Sequence, residues 1–178
     1  MSQDLEQFFT VRAQANEFGE ANAYPTVAGG YYKFQAKGYE NATKAGETRL
    51  SVKIKGDLFK EEKRIGSVNV YMSPQMERSG STGKPDRSFK LYTQFVRQLF
   101  PELKTDMEYA EVDLGTLLQR VVQFPVGAKV TETFKSPSVD PATGKYSYKD
   151  ALSQDEAKAL RTEGWKANNY VQAIGKVE

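Results

Sequence analysis

The residues that could do chemistry in this chain are lysines, arginines and tyrosines set on alternating positions. Between 31 and 74 nine cations stand against five carboxylates, a net charge of +4. Lys33, Lys37, Arg49, Lys53 and Lys55 alternate with apolar residues, and Tyr31, Tyr39 and Tyr71 share their parity or that of the adjoining run. Ammonium and guanidinium groups neutralise phosphates, and flat phenol rings offer stacking surfaces to unpaired bases. The same residue types also suit any solvated sheet face, so pattern alone leaves both readings open.

Other chemistries are thinly represented. The 178 residues include no cysteine and no histidine. That removes disulfides, zinc fingers, thiol nucleophiles and any general base built on imidazole. No phosphate loop of the Walker or dinucleotide type appears, because Asn22–Gly30 has glycines but neither the spacing nor a following helix. Serines near lysines in SGSTGK and SPSVD are chance-level pairs. Glu61-Glu62, Glu108, Glu111 and Asp113 read as solvated turns or helix starts. The expectation is therefore a binding protein: no enzyme, no catalytic residue, no metal and no cofactor.

Three runs must position the cation–tyrosine face, and each alternates with period two. In the first, Tyr32, Phe34 and Ala36 point one way, and Tyr31, Lys33, Gln35, Lys37 and Tyr39 the other. In the second, Leu50, Val52 and Ile54 face a core. In the third, Val68, Val70 and Met72 do so. Gly46 and Gly56-Asp57 carry turn chemistry, and DLFKEEKR reads as a charged loop or hairpin tip. The prediction is a three-stranded antiparallel meander with one apolar face.

The flanking chain divides simply. Residues 1–29 form an N-terminal arm with one short apolar cluster (Leu5, Phe8, Phe9, Val11) and a polar linker. Residues 1–24 carry four acids against Arg12. Docking on the domain, covering a sheet edge and reaching a neighbouring subunit are all open to this arm. Residues 30–178 are expected to form one domain. Its polar segment 73–88 reads as a mobile loop bearing Arg78, Lys84 and Arg87. Phe89, Tyr92, Phe95, Val96 and Leu99 predict a helix that Ser88 could cap. Leu114, Leu117, Leu118, Val121 and Val122 predict a second, capped by Asp113 and stopped by Pro125.

Residues 129–149 predict a hairpin. It turns at Asp140-Pro141 through Gly144 and presents Lys145, Tyr146 and Tyr148 as a second basic-aromatic surface. Ser153–Glu156 fits a capping box, Gly164 ends that helix, and a last strand lies within Trp165–Val177. The expected class is mainly β with helical insertions, an α+β arrangement. No secretory signal and no apolar run of membrane-spanning length is seen, so no membrane partner is expected.

The order of three strands, a long loop, helices and further strands is compatible with an OB-like antiparallel barrel with a helical connection between strands three and four. Over roughly residues 30–135 the chain resembles bacteriophage single-stranded DNA-binding proteins of the OB-fold type. The residues carrying the resemblance are Gly30, Tyr32 and Phe34; Lys44-Ala45-Gly46; Lys63-Arg64; Val70 to Pro74; and SFKLYTQFVRQLF. It implies sequence-tolerant binding of single-stranded DNA in phage replication and recombination, in the cytoplasm of the bacterial host. Homo-oligomers and phage replication or recombination proteins are the implied partners. Such proteins often end in an acidic tail, whereas this chain ends IGKVE, leaving the acidic arm as a substitute. The competing reading is a phage virion or assembly protein.

Overall fold

Val52, Ile54, Leu58, Val68, Val70 and Met72 are all buried, so the alternation in the second and third runs does face a core. The computed structural model describes residues 26–77, 83–84, 86–104 and 112–177. Within them the elements run β1 (Gly30–Asn41), β2 (Val52–Lys60), β3 (Lys63–Met72), α1 (Arg87–Leu99), α2 (Leu114–Gln123), β4 (Val126–Val139), β5 (Tyr146–Asp150), α3 (Gln154–Thr162) and β6 (Lys166–Gly175). The protein is mainly β: one antiparallel six-stranded sheet with three helices among the described residues.

The sheet runs β3-β2-β1-β4, and β4 is its pivot. One edge of β4 pairs first with β1 and then with β5, and the other edge pairs with β6. β3 and β6 touch, but no ladder joins them, so the sheet is not closed into a barrel by hydrogen bonds. α1 packs on β3 and β6, and α2 on β1. Their apolar stripes, Leu91-Tyr92-Phe95-Val96-Leu99 and Leu117-Leu118-Val121, complete the main core with Phe34 and Val130. A smaller core under α3 holds Phe134, Ala157 and Leu160.

Local signals account for the helix ends. The Asp113 carboxylate accepts from the Thr116 N–H at 2.9 Å. Ser153 Oγ accepts from the Glu156 N–H at 3.1 Å, while Glu156 accepts from the Leu152 N–H. Gly164 takes φ +85°, as a C-terminal glycine should. The first helix begins two residues earlier than Ser88 suggests. Its N-cap is Asp86, and Ser88 lies in the first turn.

Two readings of the meander need correction. Gly56-Asp57 is no turn but lies mid-strand in β2, opposite Ala36 and Gln35. A Cβ on Gly56 would stand 2.4 Å from the Phe34 ring, so the glycine admits the buried aromatic. The turn is five residues further on, at Glu61-Glu62, both with positive φ (50° and 62°). A two-residue hairpin with both central residues left-handed matches the strand twist.

The second correction concerns Tyr39. Ala36 pairs with Gly56 and Gly38 with Lys55, which leaves Lys37 as an extra residue in β1. A one-residue bulge reverses the parity of everything after it. Tyr39 therefore stands opposite the buried Ile54, on the face of the sheet opposite the cations although its own ring is half exposed, and Glu40 stands opposite Lys53. Tyr39 leaves the cationic face and a carboxylate joins it.

Candidate nucleic-acid interface

The outward face of β2 and β3 is the first candidate surface. Lys53 is opposite Tyr71 and Lys55 opposite Asn69, and Tyr71 is half exposed. These cations have acidic company. Glu40 bridges Lys55 at 3.0 Å and Lys53 at 3.3 Å, and those two ammoniums hold its carboxyl below the usual range. Lys37 and Arg64 converge on Asp57 at 3.3 and 3.1 Å. Burial pushes the Asp57 carboxyl up, but hydrogen bonds from Ser67, Arg64 and Lys37 outweigh it, and the net shift is downward. The Glu40 pairs are exposed and worth little, so an incoming phosphate can compete for Lys53 and Lys55, whereas the Asp57 carboxylate that holds Lys37 and Arg64 is buried.

Arg49 is engaged differently. Its Nε and one terminal nitrogen donate to the Gln75 carbonyl, at 3.2 and 2.9 Å. The guanidinium also reaches Glu77 at 3.0 Å and Asp86 at 2.6 Å. The Asp86 N–H donates to the Glu77 carbonyl, and the Ser73 N–H to the Ser88 carbonyl. Arg49 thus ties together the two ends of the segment read as a loop, and its planar fork suits that task. Arg78 lies outside the described residues. Arg87 stacks on the Tyr170 ring of β6 at 4.5 Å, and Lys84 sits just before α1. Tyr170 in turn donates to Asp150 at 2.8 Å. Burial first, and Asp150 second, push the Tyr170 hydroxyl up.

A second surface gathers residues from four strands. A cleft of about 710 Å³ is lined by Tyr31, Lys33, Phe59, Lys60, Lys129 and Lys176, with Glu61 and Glu62 at the hairpin tip. Tyr31 is 69% exposed and stands opposite Lys129 in the β1–β4 ladder, the ammonium 5.8 Å from the ring centroid. Behind it, Tyr32 is anchored by donating to the Ala28 carbonyl at 2.6 Å. Lys33 pairs with Glu62 at 3.0 Å and lies over Phe59. An exposed ring flanked by cations at the floor of a cleft can take a flat aromatic group and an adjoining anion together.

Of the residues singled out in the sequence, Tyr31 and Lys33 meet in this cleft, while Lys37, Lys53, Lys55 and Tyr71 share the β2–β3 face. Lys145, Tyr146 and Tyr148 lie on the β4–β5 hairpin, where the Lys135 ammonium sits 3.9 Å from the Tyr146 ring. Phe59, Lys60, Lys129 and Lys176 escape the sequence reading. Lys129 joins Tyr31 only through a pairing ninety-eight positions apart in the chain, which no local period reports.

Among the described residues no helix is long and apolar enough to cross a membrane. Comparison with protein-family models, with curated proteins and with solved structures finds no match to this chain.

Proposed function

We propose that this protein binds single-stranded DNA with little sequence preference. The observation that carries the reading is Tyr31: a ring two-thirds exposed, set against Lys129, in a cleft rimmed by Lys33, Lys60 and Lys176. Stacking on an exposed ring tolerates any base, and lysines read phosphate rather than sequence. The β2–β3 face, with Lys53, Lys55 and Tyr71, extends the same chemistry. The strand order, with β3 and β6 in contact but unladdered, supports taking the sheet as an OB-like barrel left open along that seam. The resemblance to bacteriophage single-stranded DNA-binding proteins supports a role in phage replication or recombination, in the host cytoplasm, beside the proteins of those pathways.

Fluorescence anisotropy with labelled oligo(dT) and with a duplex of equal length, across a salt series, tests this. Tight single-strand binding with a steep salt dependence and weak duplex binding is expected. No binding to oligo(dT) at low salt would remove the proposal.

One observation favours a second reading, a subunit of a phage assembly. All five residues of β5 are exposed, as is Leu152 beside it, so the hairpin projects from the domain. That reading requires regular oligomers without nucleic acid, which light scattering after size exclusion would detect.

A further inference from the structure

β4 carries an outward row that joins two separate recesses. Val126, Ala128, Val130, Glu132 and Phe134 are buried, which turns Lys129, Thr131, Thr133 and Lys135 to the other side. The ladders fix the neighbours of each. Lys129 lies between Tyr31 and Ala173, and Thr131 beside Tyr170. Thr133 lies between Asp150 and Asn168, and Lys135 between Tyr148 and Lys166. The second recess, about 320 Å³, is lined by Thr133, Lys135, Tyr148, Lys166, Ala167 and Asn168. Tyr148 is 65% exposed, much as Tyr31 is at the other end.

The row therefore begins and ends with the same device, an exposed tyrosine opposite a lysine on β4. Six residues of strand separate the two, roughly 20 Å at about 3.3 Å per residue. Between them the threonines are small and their hydroxyls are occupied, Thr131 with Gln172 and Thr133 with the Lys149 carbonyl. Asp150, the carboxylate flanking Thr133, accepts the Tyr170 hydroxyl.

We infer that a single strand held at the Tyr31 cleft runs along β4 to a second stacking site at Tyr148, where Lys135 and Lys166 hold the neighbouring phosphates. This inference rests on the single-strand reading above. It assigns Tyr148, Lys135 and Lys166 to the DNA path and makes the hairpin part of the binding surface. Roughly 20 Å corresponds to about six nucleotides at a stacked spacing of about 3.4 Å, and fewer if the strand is extended.

The experiment compares a dT tetranucleotide with a dT decanucleotide, on the wild type and on Tyr31→Ala, Tyr148→Ala and Lys166→Glu. All three side chains are exposed, and a thermal melt of each variant is run first to check that it folds. Tyr31→Ala is expected to weaken both oligonucleotides. Tyr148→Ala is expected to weaken the decanucleotide at least about fivefold and to leave the tetranucleotide unchanged. Lys166→Glu should flatten the salt slope for the decanucleotide alone. Wild-type affinity for the decanucleotide in both Tyr148→Ala and Lys166→Glu overturns the path while the single-strand reading stands. Failure of the wild type to bind either oligonucleotide overturns both.

Discussion

Tyr31 and Lys129 face one another across the β1–β4 ladder, with the lysine ammonium 5.8 Å from the centre of the ring. The pair makes a floor that is cationic and flat at once. Replacing the ring tests it directly. Tyr31→Ala should lower single-strand affinity by about 1–3 kcal/mol, or roughly 5- to 150-fold, at low and at high salt alike. The melting temperature should hardly move, because the ring is 69% exposed. Tyr39→Ala is the control: opposite Ile54, it should leave binding unchanged. Anisotropy titrations on the two variants separate the cleft from the wider sheet.

The cations differ in how firmly the protein already holds them, and salt dependence reads the difference. Lys60 is exposed at the cleft rim, whereas Lys53 and Lys55 share Glu40. Lys60→Glu should therefore weaken binding to every sequence and lower the slope of log K against log salt by about 0.7 or more. Lys53→Glu should do the same to a smaller degree, since binding at Lys53 first displaces Glu40. A slope unchanged in Lys60→Glu would remove that lysine from the phosphate path.

The Glu61-Glu62 tip is a place where stability and binding pull together. Both residues take positive φ, which costs a non-glycine residue about 1 kcal/mol or more, and both carboxylates stand at the cleft rim. Exchanging them for Asn-Gly fits the turn's preferred residues. The double variant should be more stable by about 1 kcal/mol, less what the freer unfolded chain takes back. It should also bind single strands more tightly at low salt, an advantage that vanishes as salt rises. Chemical denaturation and the salt titration check the two halves separately.

Much of the frame is legible in the chain because its signals are local. Val52, Ile54, Val68 and Val70 alternate as they are buried, and Asp113 and Ser153 cap the helices they precede. The misread positions are those where a long-range partner decides. Gly56 looks like a turn but makes room for Phe34, twenty-two positions earlier. Tyr39 alternates correctly by eye, and only the pairing with β2 reveals the extra residue at Lys37. The cleft was half visible for the same reason: Tyr31 and Lys33 lie in a conspicuous run, while Lys129 and Lys176 reach them through β4 and β6.

Arg49 illustrates how a cation that looks like a phosphate contact is committed elsewhere, and acid titration should expose the commitment. Its partner Asp86 is pulled two ways. Burial raises the carboxyl, but the bond from Arg49 and that from the Glu77 N–H outweigh burial, and the net shift is downward. A carboxyl depressed in the folded state adds stability that is fully present above its unfolded value, about 3.8. That stability drains away as pH falls through the lower folded value. Arg49→Ala removes the guanidinium's share of this acid-sensitive part and leaves that of the Glu77 N–H. At neutral pH the variant should be less stable by about 1–3 kcal/mol, since both side chains are only about a quarter exposed and the bond is charged. As pH drops below about 3.8, the gap between variant and wild type should close. Arg49→Lys should restore little, because an ammonium cannot span Gln75, Glu77 and Asp86 at once. The salt slope of DNA binding should be the same in Arg49→Ala as in wild type. A lowered slope, with no change in stability between neutral and acid pH, would return Arg49 to the phosphate contacts and leave the Asp86 bond without a structural role.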